Sequence, residues 1–579
     1  MICLKTTLYI SCVFLVFTFC KKNGTSPSPP NPPTTIDTTT VSPQVDPVLA
    51  NTIGFFMDDW EPKNFTLPTA TEIGTAPSST SYTVTIDRSS VITKVPRSIA
   101  GNNSNIWMSQ LVTETSLLDH ITTLHPHIIR FPGGSISDIF FWNAQPNIPP
   151  ADAPAQLVNA NGTTSAAGYW FGKNAASWTL SVDNYYAMLQ QTGNQGMITI
   201  NYGYARYGTG TNPVAAAAHL AADWVRYDNG RTKYWEIGNE NFGDWEAGYR
   251  INTANNHDGQ PEYLSGQLYG QHFKIYADSM RKAAQQIGKT IYIGAVVSES
   301  APQSWWTSTA ANWNTGLFSN AGNTPDFYIV HNYYTPYLTN ASAGEILNTP
   351  VPVTQTMMDY VKQSITNAGL TQKPVILGEW NIFSTGSKQP VSHVNGMHAV
   401  MVLGESLKNK FGMTARWDLA NGWDNGNDHG MFNIGDEPDG VAKWNPRPAF
   451  YHMYYFQKYL GDRLVSSTST SADLISYASS FSSGETAVAL VNKTVDSKAV
   501  EIKINNFKKG SNFYWYVLTG GGDNGDFSRK TLVNNIGPAG TAGGPANYKT
   551  QAPYIASAVN SIKVQVPGRS CVFLVVDKK

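Results

Sequence analysis

Two glutamates in this sequence stand in settings suited to proton transfer and nucleophilic attack. Glu240 closes the run WEIGNEN (235–241), and Glu379 stands in LGEWN (377–381). Each follows strand-forming apolar residues, and a carboxylate at the end of a buried strand is costly unless it works or pairs. Held across one pocket, two carboxyls can divide a displacement between them. One donates its proton to a leaving oxygen, and the other attacks the opposite face of the carbon. At about 5–5.5 Å the attack is direct and configuration is kept. Proximity also separates their pKa values and keeps one protonated near neutral pH. Other apolar runs end on Arg130, Asn201/Tyr202, Asn239, Glu299, His331/Tyr333 and Trp417/Asp418.

Elements must bring these residues together. From residue 98, β-rich apolar runs at 98–103, 127–134, 197–204, 233–241, 291–299, 326–334, 374–381 and 414–422 alternate with helix-like segments. Most runs are continuous, as parallel strands covered on both faces require. Helices are predicted at 213–227, opened by Pro213, and at 263–287, 354–368, 392–410 and 447–460. Eight β-then-α units predict an α/β fold, a (β/α)8 TIM barrel over 98–461. Strands 4 and 7 of such a barrel lie across its mouth, so Glu240 and Glu379 would face each other. A doubly wound sheet would need a Gly-rich phosphate turn, and RFPGGS (130–135) has the wrong spacing. Over 462–579 short runs separated by Gly/Ser/Asn turns predict a C-terminal β-sandwich. Residues 51–97 are expected to be a strap, with YTVTID (82–87) joining the sandwich.

Charged residues make up only 14% and the net charge is −1, which gives no pull on nucleic acid or an anionic membrane. Lys5 precedes an apolar run, Leu8 to Phe19, that suits a signal-peptide core and is too short for a membrane span. Residues 1–20 therefore read as a signal peptide, either lipoprotein type with lipid on Cys20 or an ordinary one cut further on. Residues 21–50, rich in Ser, Thr and Pro, form a linker that buries no core. The expected location is exported: a cell-surface or periplasmic lipoprotein, or secreted. Cys571 alone lies outside the leader, so neither an intrachain disulfide nor a cysteine metal site is expected. The acidic loops DNGNDHG (424–430) and GGGDNGDF (520–527) lack the EF-hand pattern and read as solvated turns. Neither metal nor cofactor is expected.

Asn-Glu after strand 4 with Glu ending strand 7 resembles the signature of clan A of the retaining glycoside hydrolases. Within it, RFPGG (130–134), WEIGNEN, GEWN (378–381) and VPGRSCVFLVV (566–576) resemble the family 51 α-L-arabinofuranosidases and neighbouring families. The likeness spans roughly residues 82–579. It implies Glu240 as acid/base, Glu379 as nucleophile, and Asn239 on the substrate 2-hydroxyl. Arg130 and Tyr333 (or Tyr334) would orient and ionise Glu379, while His331 and Trp380 would line the innermost sugar site. Trp305 and Trp306, with Trp313, follow strand 5 and are expected to stack on sugar. The chain departs from family 51 in having Ser135 where an amide is usual and Gly378 where an acid is usual. Its loops are also rich in Trp. These departures suit an endo-β-glycanase, such as an endo-β-glucanase, at least as well as an arabinofuranosidase. A transglycosylase would use the same pair. A non-catalytic polysaccharide-binding surface lipoprotein would have lost one of the two glutamates. The expected partner is a polysaccharide or oligosaccharide, with no nucleic acid and no membrane contact beyond an anchor at Cys20.

Overall fold

The computed structural model describes residues 41–384, 389–423, 429–522 and 526–579. The leader with Cys20, most of the linker, and residues 424–428 and 523–525 of the acidic loops lie outside the described residues. Eight parallel strands close into a barrel in chain order. They are β1 (Gly101–Asn103), β2 (Ile128–Phe131), β3 (Gln195–Ile200), β4 (Thr232–Ile237), β5 (Tyr292–Val296), β6 (Phe327–Asn332), β7 (Val375–Trp380) and β8 (Met413–Arg416). Helices α1 (Thr115–Leu124), α2 (Val182–Thr192), α3 (Pro213–Asp228), α4 (Gly266–Gln286), α5 (Trp313–Ala321), α6 (Pro350–Asn367), α7 (His393–Lys408) and α8 (Pro448–Tyr459) follow in turn. This is the (β/α)8 barrel.

Local chemistry sets the element ends. Helix α3 opens on Pro213 at its first turn, with the Asn212 side chain accepting from Ala215 N. Ser265 and Ser392 cap α4 and α7 in the same way. Two strands are shorter than the apolar runs suggest. Residues 97–100 form a 3-10 turn before β1, and β4 stops at Ile237, so Asn239 and Glu240 stand on the loop beyond it.

Strand alternation sorts the barrel into layers. Ile129, Phe131, Ile198, Trp235, Ile293, Tyr328 and Leu377 pack outward under the helices. Ile128, Met197, Tyr234, Phe327, Ile329, Ile376 and Met413 form an apolar plug inside. The short turn Gly54–Met57 closes that end of the barrel, with Phe55 stacked on Tyr292 at 3.7 Å and Phe56 on Tyr234 at 4.8 Å. Above the plug the inward positions turn polar: Arg130, Thr199, Glu236 and His331, all buried.

The strand Tyr82–Lys94 pairs antiparallel with Arg463–Ser469 and parallel with Lys498–Asn505, so chain from before the barrel is woven into the sheet after it. Eleven strands form one hydrogen-bonded sheet folded over a core that includes Val84, Leu490, Ile502, Trp515, Val564 and Leu574. Tyr477 ties this sheet to the barrel by donating to Met401 O (3.2 Å) and Glu405 Oε1 (3.0 Å) on α7. Cys571 is buried in the same layer, and burial pushes its thiol pKa up. Among the described residues no helix is long and apolar enough to cross a membrane.

Candidate active site

Glu240 is held by a turn that only glycine can begin. Gly238 has φ +76°, and a Cβ there would meet Asn241 Oδ1 at 1.9 Å. Glu240 itself sits at φ +42°, a left-handed conformation that costs an L-residue about 1–2 kcal/mol. Buried Asp138 holds the turn in place. Its Oδ1 accepts from Tyr202 N and Gly203 N (both 3.0 Å), and its Oδ2 from Asn239 N (3.1 Å) and Asn241 Nδ2 (2.8 Å). One carboxyl thus gathers the ends of β3 and β4 and the loop after β2.

Glu379 reaches the same space through an irregularity in β7. Val330 pairs with Leu377 but His331 pairs with Glu379, so one residue is skipped at Gly378. A side chain at 378 would meet Ile329 Cγ2 at 2.7 Å and His331 Nε2 at 3.0 Å. Ile329 and His331 fill the space that a side chain at 378 would need.

Arg130 is fully buried and uses its whole guanidinium. Its Nε donates to Glu236 Oε2 (2.6 Å), Nη1 to Asn103 Oδ1 (2.9 Å) and Glu379 Oε1 (3.5 Å), and Nη2 to Asn239 Oδ1 (2.8 Å). Glu236 is therefore its nearest counter-ion, and Glu379 the more distant one. His331 Nδ1 is 2.9 Å from Glu240 Oε1 and 3.6 Å from Glu379 Oε2. Trp245 Nε1 donates to Glu240 Oε2 at 3.2 Å.

These contacts set the electrostatics. Burial lowers the His331 pKa, but the Glu379 charge and the Glu240 hydrogen bond outweigh it and raise the imidazole above its ordinary value. Burial raises Glu379, and His331 and Arg130 only partly offset this, so its carboxyl lies above the usual range. Burial pushes Glu240 up as well, yet the His331 hydrogen bond and charge, with Trp245 and Arg130, bring it below. Arg130 and His331 thus face Glu240 and Glu379, and the two carboxyls are driven apart, Glu379 up and Glu240 down, so a proton shared between them favours Glu379 in the free site. Glu299, beyond β5, is pushed up to about 7 by burial and accepts from Asn332 Nδ2 at 3.4 Å.

The remaining expected site residues divide. Tyr334 is turned away, with its hydroxyl on Thr354 Oγ1 at 2.8 Å. Tyr333 faces the site but makes no side-chain hydrogen bond to Glu379; its ring stacks on Phe383 at 4.2 Å. Trp380 does not line a sugar site. It is fully buried against His398 of α7, because the irregularity at Gly378 turns Glu379 inward and Trp380 outward. Trp313 is also buried, at the start of α5, with Nε1 donating to Val296 O at 2.9 Å. Trp305 is 77% exposed, and Trp306 is half-buried beside it. Trp305→Ala is expected to weaken long-oligosaccharide binding by ~1–3 kcal/mol and to spare small aryl glycosides. Trp313→Ala should instead cost ~3–5 kcal/mol of folding stability, read by urea denaturation, with no dependence on substrate length.

Sequence reasoning missed Glu236, Asp138, Glu246 and the Trp245 contact. A charged residue inside the apolar run KYWEI was the available signal for Glu236. Among the described residues, one group of three His, Cys, Asp or Glu side chains converges closely enough to hold a metal: Glu240, His331 and Glu379, within 4.8 Å of one another. Arg130 already lies against Glu379 there, so a cation would have to compete with it.

No protein-family model matches the chain, and no curated protein matches it. Solved structures do. An α-L-arabinofuranosidase from Thermotoga maritima superposes with TM-score 0.57 at 18% identity, covering 86% of this chain and all of that one. A family 51 α-L-arabinofuranosidase from Bifidobacterium longum gives 0.59 at 14%, with the same coverage of both chains. A glycoside hydrolase family 44 xyloglucanase from Paenibacillus polymyxa gives 0.53 at 12%, covering 86% of this chain and 99% of that one. The fold is theirs. The chain thus has the barrel-and-sandwich architecture of these family 51 and family 44 enzymes.

Proposed function

We propose that this protein is a retaining glycoside hydrolase of extracellular polysaccharide, with Glu379 as nucleophile and Glu240 as acid/base. The observation that carries this is that Glu240, His331 and Glu379 each bring one side-chain N or O atom within 4.8 Å of the others, so the two carboxyls reach each other without a gap for water. Inverting pairs stand about 6.5–9.5 Å apart to admit a water, whereas retaining pairs stand at about 5–5.5 Å. In the first step Glu379 attacks the anomeric carbon while Glu240 gives its proton to the departing oxygen. The product is a glycosyl ester on Glu379. In the second step Glu240 takes a proton from water, whose oxygen displaces Glu379 and restores the original configuration.

The first step needs the proton on Glu240, opposite to the bias of the free site. In so close a pair the proton belongs to both groups. A glycosidic oxygen seated at Glu240 gives that carboxyl an acceptor, and positive charge developing on the sugar favours ionised Glu379. Substrate binding therefore draws the proton across.

For the sugar, the RFPGG, WEIGNEN and GEWN motifs support an α-L-arabinofuranoside. A second reading, an endo-β-glycanase, is supported by the exposed rings of Trp178, Trp245 and Trp305 on loops after β2, β4 and β5. Assay against arabinans, β-glucans, xylans and galactans with product sizing separates them. Free arabinose supports the first and oligosaccharides from β-glucan the second; folded protein inert on the whole panel would overturn both.

The Lys5, apolar-run and Cys20 arrangement supports export with lipid on Cys20. The native protein is expected in the membrane fraction, and Cys20→Ser is expected to release it. Identical fractionation of the two would exclude the anchor.

A further inference from the structure

Directly behind Asn239 lies a carboxyl that the proposed chemistry does not use. Glu246 is buried, and its Oε1 accepts from two side chains, Asn239 Nδ2 at 3.0 Å and Ser135 Oγ at 2.7 Å. Its Oε2 is buried with no hydrogen-bond partner. Neighbouring Asp138 receives four N–H donors, two on each oxygen, which partly offset the burial that pushes its carboxyl up to about 7. Glu246 receives two donors on one oxygen and none on the other, and among the described residues no cation forms an ion pair with it. Burial, Asp138 and Glu240 all hold its carboxyl well above the usual carboxylate range. Glu246 is therefore neutral.

The consequence falls on Asn239. Its Oδ1 is held by Arg130 Nη2 at 2.8 Å and one Nδ2 hydrogen by Glu246, so the amide is pinned at both ends with one N–H left over. Arg130 alone would fix which end is oxygen but not the tilt of the amide plane. Ser135, which takes the place of a sugar-contacting amide, has its hydroxyl drawn into the same acid. We propose that Glu246 is a positioning residue, a neutral acid that sets the Asn239 amide to donate to the substrate 2-hydroxyl. This rests on the glycoside hydrolase reading of Asn239.

The test uses Glu246→Leu, Glu246→Gln, Asn239→Ala and the Glu246→Leu/Asn239→Ala double variant. Probes are the nitrophenyl glycoside that wild type cleaves fastest and its 2-deoxy counterpart. Glu246→Leu is expected to lower kcat/KM about 10–100-fold on the first probe and less than about 3-fold on the second. Glu246→Gln, which keeps the acceptor and the neutrality, should restore most of the loss. Adding Glu246→Leu to Asn239→Ala should cost little more, because Glu246 acts through the Asn239 amide. Equal losses on both probes would overturn the proposal, as would Glu246→Gln failing like Glu246→Leu. If Asn239→Ala itself affects both probes alike, the 2-hydroxyl assignment falls and this inference with it. If Asn239→Ala discriminates and Glu246→Leu does not, the inference alone falls. Should Glu246→Leu not fold, Glu246→Gln decides: near-wild-type turnover supports a neutral acid, and a large loss means a required charge.

Discussion

Glu379→Ala is expected to lose at least about four orders of magnitude in kcat on every substrate, because neither step can begin without the nucleophile. The variant should still fold. Arg130 keeps its 2.6 Å bond to Glu236 and its bonds to Asn103 and Asn239, so removing the 3.5 Å contact to Glu379 leaves no uncompensated buried charge. Circular dichroism matching wild type beside a flat activity trace is the expected pair of results. Comparable losses on good and poor leaving groups would distinguish this position from Glu240.

Glu240→Ala should act unevenly. Dinitrophenolate departs without a proton, so a dinitrophenyl glycoside should still load the enzyme and the glycosyl ester should accumulate. A natural linkage leaves as an alkoxide and should lose several orders of magnitude, since general acid help alone is worth roughly 10²–10⁴-fold. The pH profile carries the same signature. In wild type the rate should fall as pH rises and Glu240 loses the proton it must donate. It should fall again as pH drops and Glu379 takes one up. The two limbs bound the singly protonated pair; burial raises Glu379, which holds the proton in the free site, so the alkaline limb should lie above the range of an ordinary glutamate. In Glu240→Ala the alkaline limb should vanish. The remaining acid limb should then report Glu379 alone, without the negative neighbour that helps to raise its pKa.

The barrel was legible in the sequence because buried parallel strands are continuous apolar runs, and the eight runs from 98 to 422 correspond one to one with β1–β8. The places of Glu240 and Glu379 followed from strand order alone. Details of register were not legible. Period-two reading cannot see the residue skipped at Gly378, and that single irregularity sends Trp380 outward rather than toward a sugar. Nor does composition say which aromatic is core: Trp305 and Trp313 are eight residues apart in sequence, yet one is exposed and the other fully buried. Glu236 and Glu246 were missed for a common reason. Each matters through contacts that only the folded chain makes: Glu236 through Arg130, distant in sequence, and Glu246 through Asn239, seven residues back across the loop after β4, and through distant Ser135.

The most direct measurement is peptide mapping of Glu240→Ala quenched during turnover of a dinitrophenyl glycoside. One glycosyl group esterified to Glu379 is the expected result, in the peptide carrying LGEWN. An unlabelled Glu379 during steady turnover, or the sugar on any other side chain, would contradict its assignment as the nucleophile.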